Sequence, residues 1–299
     1  MGKSSLLWRR AAVIQAVRRF FQEHAYLEVD TPVRLPCLIP EACIEPEEAS
    51  GWYLQTSPEI CMKRLLSAGI PRLFQICKCF RRHERGARHL PEFTMLEWYR
   101  SEADYTDLMT ECEALFAFLA EAQDQREVVV GEGRVGLAAP WERLTVAEAF
   151  SRFAPIPLAE AMAQGLFDEI FIQHVEPRLG WERPCLLHDY PAAMGALARL
   201  RADNLEVAER FELYVGGLEL ANGFSELTDA DEQRARLLAD QATIRTQGRE
   251  PGPMPERFLT DLANLPRSAG IALGLDRLVM LFTGAQSIDR VVAFTPDSL

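Results

Sequence analysis

Residues 210–227, RFELYVGGLELANGFSEL, constrain the fold more than any other part of the chain. Two strand-forming runs flank Gly216-Gly217, and a two-glycine link closes a hairpin through a turn with positive φ at both positions. Such a turn pairs Tyr214 with Glu219 and Glu212 with Ala221, and it puts Glu212 and Glu219 on one face of neighbouring strands. Strict alternation points Asn222 and Glu226 away from Glu219 unless a bulge turns them back, and Gly223 is a natural host for one. Two carboxylates that close repel each other. They form either an exposed acidic edge or a site for a divalent cation; Mg²⁺ carrying phosphate oxygens fits, since it takes one or two carboxylates.

A second hairpin is expected upstream. Leu73 to Phe80 reads as a buried strand, Glu92 to Tyr99 as another, with RRHERGARHLP as a long polar tip. Alternation in the second strand places Phe93, Met95, Glu97 and Tyr99 on one face and Thr94, Leu96 and Trp98 on the other. Both faces are apolar enough to be covered, so Glu97 is expected to be buried and to need a partner of opposite charge. That partner is either an internal Arg or a cationic ligand.

The hairpin tip carries Arg81, Arg82, Arg85 and Arg88, four arginines within eight residues of a chain that holds 44 Asp and Glu against 32 Lys and Arg. The charge is uneven: residues 1–100 carry a net +4 and the remainder −16. An arginine cluster in an acidic protein is either a solvated loop or a focused anion site. Only Lys3, Lys63 and Lys78 are lysines. A further anion site is suggested by Gly270-x-x-x-Gly274-x-x-Arg277, where a strand switches into a helix and an Arg in the first turn can reach a phosphate.

Helices are expected at Leu6–Phe21 with Ser4 or Ser5 as cap, at Glu59–Ser67 behind Ser57-Pro58, at Thr106–Glu121 and at Asp229–Thr246. Strands arranged as antiparallel hairpins between helices give an α+β class, an antiparallel sheet flanked by helices. Residues 122–205 read as a mostly helical excursion. The acidic balance excludes a protein that coats nucleic acid electrostatically. No apolar run reaches membrane-span length and no signal peptide is evident. The seven cysteines are odd in number and scattered, so they are expected to be reduced and mostly buried in a cytoplasmic protein, with Cys77 and Cys79 on one strand face. Zinc spacing is not apparent.

These motifs resemble, in order, those of class II aminoacyl-tRNA synthetases. The first helix with Glu28-Val29-Asp30-Thr31-Pro32 resembles motif 1, the dimer-forming segment. Phe80-Arg81 with His89-x-Pro91-Glu92-Phe93-Thr94 resembles motif 2, and 270–281 resembles motif 3. Thr56-Ser57-Pro58-Glu59, Leu96-Glu97-Trp98-Tyr99 and Asn222-Gly223-Phe224-Ser225-Glu226-Leu227 resemble the lysine-specific subgroup. Because motif 1 starts almost at the first residue, the anticodon-binding domain of lysyl-tRNA synthetases is expected to be absent and residues 1–299 to be one catalytic domain. A freestanding core of this kind resembles the elongation factor P–(R)-β-lysine ligase family.

The resemblance implies an ATP-dependent, AMP-forming ligase that activates (R)-β-lysine or lysine as an adenylate and transfers it to a lysine side chain of elongation factor P. It implies Ser57, Pro58 and Glu59 at the amino end of the substrate, Glu97, Tyr99 and Glu226 around its side-chain ammonium, Asn222 on its carboxylate, and Glu219 and Ala272 beside it. For ATP it implies Arg81, Arg82, His83, Leu90, Phe93, Glu212, Leu213, Gly274 and Arg277, with Arg81 and Arg277 catalytic and Glu212 and Glu219 holding Mg²⁺. A homodimer through motif 1 is implied, and tRNA is not an expected partner. His83 stands where motif 2 usually has Glu, Leu90 where relatives have Asn, and Ala272 where lysyl-tRNA synthetases have Gly, a change worth about 1–3 kcal/mol in a pocket. Two other readings follow from the same residues: a lysine-activating synthetase fragment that charges tRNA or another carrier, and a silent regulatory paralogue.

Overall fold

The computed structural model describes residues 2–299. Nine strands form the main sheet: β1 (Leu27–Glu28), β2 (Arg72–Phe80), β3 (Glu92–Ser101), β4 (Glu142–Thr145), β5 (Cys185–Pro191), β6 (Leu200–Arg201), β7 (Asn204–Val215), β8 (Leu218–Ser225) and β9 (Ser268–Gly274). Their order is β1-β2-β3-β9-β8-β7-β5-β4, with β6 paired to β7. Only β1–β2 and β4–β5 are parallel, so the α+β class holds.

One sheet face is covered by α1 (Lys3–Glu23), α3 (Tyr105–Ala122) and the helix Leu275–Thr283. Leu96, Trp98, Phe211, Leu213, Ile271 and Leu273 point into that layer and are buried. Phe21 of α1 stacks on Phe74 with ring centroids 4.8 Å apart and meets Trp98 at 5.1 Å. Such aromatic contacts add about 0.5–1.5 kcal/mol each beyond their buried area. Helix α1 begins at Lys3 with Gly2 as its cap and no capping side chain, so Ser4 and Ser5 lie inside the first turn rather than before it. Asp104 caps α3 in a reciprocal box with Asp107.

The other face is covered at both ends: at one by α2 (Glu59–Ser67), the helix Ala230–Thr246 and the helix Glu256–Leu262, which pack around Met62, Leu66, Leu73, Leu237 and Phe258, and at the other by the helical segment 146–178, which packs Phe150, Phe167 and Val175 with Leu187 and Tyr214. The uncovered part of this face becomes a cleft. Residues 122–205 differ from the expected helical excursion: they open with a small hairpin, Glu127–Val130 with Gly133–Gly136, and supply strands β4, β5 and β6 to the main sheet. Helix and short turns occupy only its middle. Cys185, Leu186 and Leu187 are a short, fully buried apolar run, and periodicity alone cannot tell such a run from a helix segment.

All seven cysteines are free; three are buried, three partly buried and Cys43 is exposed. Cys77 and Cys79 share a face, with their sulfurs 3.9 Å apart. No helix among the described residues is long and apolar enough to cross a membrane.

Candidate active site

The Gly216-Gly217 turn forms as the sequence requires, with φ of 59° and 67°, and Tyr214 pairs with Glu219. One step further the register slips. Leu213 pairs with Ala221 and Glu212 with Asn222, so Leu220 is the extra residue. The bulge is therefore at Leu220 rather than Gly223, and Glu212 faces Asn222 rather than Ala221. Its effect is to put Glu219 and Asn222, which strict alternation separates, on the same face. Leu220 and Ala221 both go to the apolar layer.

Continuing across the sheet, Asn222 pairs with Ala272, Ala272 with Glu97, and Glu97 with Gln75. A transverse row therefore runs Gln75, Glu97, Ala272, Asn222, Glu212 over five adjacent strands. A parallel row holds Tyr99, Gly270 and Phe224. Gly270 must lack a side chain: a Cβ there would lie 2.2 Å from the Tyr99 ring and 2.4 Å from Oε1 of Glu226.

Two cavities open on this face. The larger, about 530 Å³, is walled by Arg81, Arg85, Arg88, Phe93, Glu219 and Arg277 among others. The smaller, about 120 Å³, is walled by Ser57, Glu59, Glu97, Tyr99 and Phe224. Arg81, Asn222 and Ala272 border both, so one arginine and one amide stand between an arginine-rich chamber and an acidic one. Glu41 borders both as well as a third, outer cavity of about 280 Å³. Burial pushes its carboxyl up to about 7 against the opposing charge of Arg81.

In the acidic chamber Glu97 is buried, as its strand required. Its oxygens accept hydrogen bonds from Ser57 Oγ at 2.6 Å and from the Tyr99 hydroxyl at 2.7 Å. These are neutral donors. Burial, then repulsion from Glu59, pushes Glu97 up to about 8. Ser57 Oγ also accepts from the Glu59 amide at 3.0 Å, which fixes the start of α2; Pro58 takes the cap position with no capping side chain. Glu226 is fully buried and is likewise pushed up to about 8, by burial above all, with Lys63 opposing. The Lys63 ammonium pairs with Glu59 and, at 2.6 Å, with Glu226.

In the arginine chamber, Arg81 lies over the Phe93 ring at 5.2 Å, and its Nε is buried without a partner among the described residues. Arg277 donates to the Glu219 carbonyl at 2.8 Å and meets the Glu219 carboxylate at 3.4 Å. Its Nη2 lies 2.6 Å from His89 Nε2. Burial and the Arg277 charge lower the His89 pKa, so the ring is a neutral acceptor for that guanidinium. The acidic pair is asymmetric. Glu219 borders the chamber, raised by burial and by the Glu212 charge. Glu212 is enclosed by donors: Tyr190 at 2.6 Å, Tyr214 at 2.5 Å and Arg210 at 2.5 Å. Arg210 also donates to Asn222 Oδ1 at 3.0 Å, which turns the Asn222 amide nitrogen away from it.

A family model described as class II tRNA synthetases (D, K and N) matches residues 2–298. The chain belongs to that family. Among its relatives, the elongation factor P–(R)-beta-lysine ligase of Salmonella typhi is 39% identical over 308 residues, 97% of this chain and 95% of the relative. The proteins of that name from Salmonella dublin and Salmonella enteritidis PT4 are each 39% identical over 312 residues, with the same coverage.

Within this class II synthetase core the structure brings together most of the residues singled out in the sequence; Pro58 only starts α2, Glu226 lies behind Gly270 and walls neither cavity, and three others stand apart. Arg82 borders the outer cavity and pairs with Glu45 at 2.9 Å, because the strand direction reverses at the hairpin tip. Leu213 sends its side chain into the apolar layer, opposite Glu212, so only its backbone faces the next strands. Glu212 is walled off from the chamber by Tyr190, Tyr214 and Arg210. His83 and Leu90 do border the arginine chamber, and His83 adopts φ of 66° at the loop tip. Lys63 was missed. It sits four residues after Glu59 on a helix, a spacing that does put two side chains on one face.

Proposed function

We propose that this chain activates (R)-β-lysine or lysine with ATP and transfers it to a lysine side chain of elongation factor P. The observation that carries the reading is the pair of chambers joined at Arg81 and Asn222, one arginine-lined and one acidic. A substrate with two ammonium groups and a carboxylate fills the acidic chamber with its carboxylate toward Arg81. ATP fills the other. The names of the Salmonella relatives supply the acceptor and the β-amino acid.

The reaction follows from that placement. A carboxylate oxygen of the amino acid attacks the α-phosphorus, the bond to the bridging oxygen breaks, and pyrophosphate leaves. Arg81 holds both reacting partners and stabilises the charge that builds on the α-phosphate, and Arg277 steadies the departing phosphates. The acceptor amine then attacks the adenylate carbonyl, an amide forms and AMP departs. Glu219 has the donor chemistry and the location to hold Mg²⁺ beside the phosphates, with Glu212 as the charge behind it. Bound there, the ion would offset phosphate charge.

The same reading makes the enzyme a cytoplasmic homodimer through motif 1 with residues 1–299 as a catalytic domain, and it leaves tRNA out. Pyrophosphate exchange with L-lysine and (R)-β-lysine, followed by transfer assays on elongation factor P and on tRNA, tests it. Exchange with neither amino acid overturns the activation step. Transfer to tRNA alone overturns the acceptor.

A further inference from the structure

Behind the wall of the acidic chamber, paired with its lining residue Glu59, sits a cation of the chain's own. Lys63 is 1% exposed, one of only three lysines in the protein. Its ammonium pairs with Glu59 on its own helix and with Glu226 just beyond β8, and it lies 5.1 Å from the Phe224 ring centroid. From β3, Glu97 and Tyr99 face the same space; Arg81 from just past β2, Glu41 from the loop between β1 and α2, and Asp240 from the helix Ala230–Thr246 border it. Oε1 of Glu226 is buried and has no hydrogen-bond partner among the described residues.

We propose that Lys63 is a positioning and specificity-determining residue for the amino acid. Once a bound diamino acid draws Glu59, Glu97 and Glu226 into their ionised forms, the Lys63 ammonium balances one of the three carboxylates and leaves the other two for the substrate's two ammonium groups. The inference rests on reading this chamber as a diamino-acid site. It explains why three glutamates serve a molecule with two cations. It also explains discrimination: an amino acid with a single ammonium strands a buried carboxylate, the costly outcome. A lysine that merely pins α2 to the sheet would have no such effect on substrate choice.

The test is pyrophosphate exchange across a range of pH with saturating ATP and varied diamino acid, for the wild type, K63R and K63M. At neutral pH, K63M is expected to raise KM for the diamino acid by about tenfold or more while leaving KM for ATP unchanged. Without the internal cation, Glu226 keeps its proton to higher pH, so the acid limb of kcat/KM should move up by about one pH unit. K63R should keep the wild-type limb. A loss by the same factor at every pH, or an unchanged KM, overturns the proposal. If K63M does not fold, K63Q carries the same comparison. A wild type that exchanges no diamino acid removes the reading of the chamber itself, whereas an active wild type with a flat K63M or K63Q profile removes only the role of Lys63.

Discussion

Ala272 is the direct cross-strand partner of Glu97, and its other neighbour in the row is Asn222. The methyl group therefore stands between the residue assigned to the ammonium and the residue assigned to the carboxylate. Ala272→Gly is expected to shift kcat/KM from (R)-β-lysine toward L-lysine by about tenfold or more, since one methyl in such a pocket is worth about 1–3 kcal/mol. Exchange kinetics with both amino acids measure it; an unchanged ratio would remove Ala272 from the specificity machinery.

Arg81 borders both chambers and has a buried Nε with no partner among the described residues. Arg81→Ala is expected to reduce pyrophosphate exchange by about a hundredfold or more, as for loss of one charge-stabilising donor at a reacting centre. Unfolding midpoints should change little. Near-normal exchange would contradict the assignment.

Glu97 and Glu226 each stand at about 8 in the free protein. A carboxyl raised in the folded state contributes stability that is complete below its unfolded value and lost as pH rises through the folded one. The free enzyme should therefore lose stability from roughly pH 4.5 to 8, and added diamino acid should restore more of it at the upper end. Binding near neutrality should also release protons. Calorimetry in buffers of different ionisation enthalpy reads this directly, and zero net release would refute the shifted carboxyls.

Much of this site is legible in the sequence because it lies on strands. Alternation alone buried Glu97 beside Tyr99, and two glycines alone set the pairing of Tyr214 with Glu219. What escaped depends on non-local packing. Nothing in the letters marks Leu220 as the bulge, since its apolar side chain suits either strand geometry. Arg210, Tyr190 and Tyr214 enclose Glu212 only after β5 and β7 pair. Lys63 acquires its buried partner only when Glu226 arrives from 163 residues away.

Arg10 of α1 pairs with Asp276 at 2.5 Å, and the Asp276 carboxylate also accepts from the Thr94 amide at 2.7 Å. Asp276 is 2% exposed. Arg10→Met leaves that carboxylate buried without its cation and is expected to cost about 3–5 kcal/mol. Chemical denaturation gives the value; a loss under about 1 kcal/mol would show that Asp276 finds another partner.

Gly270→Ala places a methyl against the Tyr99 ring and Glu226. Overpacking of this kind typically costs about 1–3 kcal/mol, and here the groups displaced are substrate-facing. KM for the amino acid should rise with KM for ATP unaffected; equal effects on both would mean the whole sheet has shifted.

The extra residue at Leu220 makes strand length, rather than composition, the vulnerable property of this segment. Inserting one residue between Glu219 and Asn222, with the single bulge kept, would shift the strand's alternation by one position. Every downstream polar side chain from Asn222 to Glu226 would then exchange faces with its apolar neighbours. A single-codon insertion there should therefore be more damaging than any conservative substitution, although it removes no residue assigned to the chemistry, whereas loss of Leu220 leaves Glu219 and Asn222 on one face.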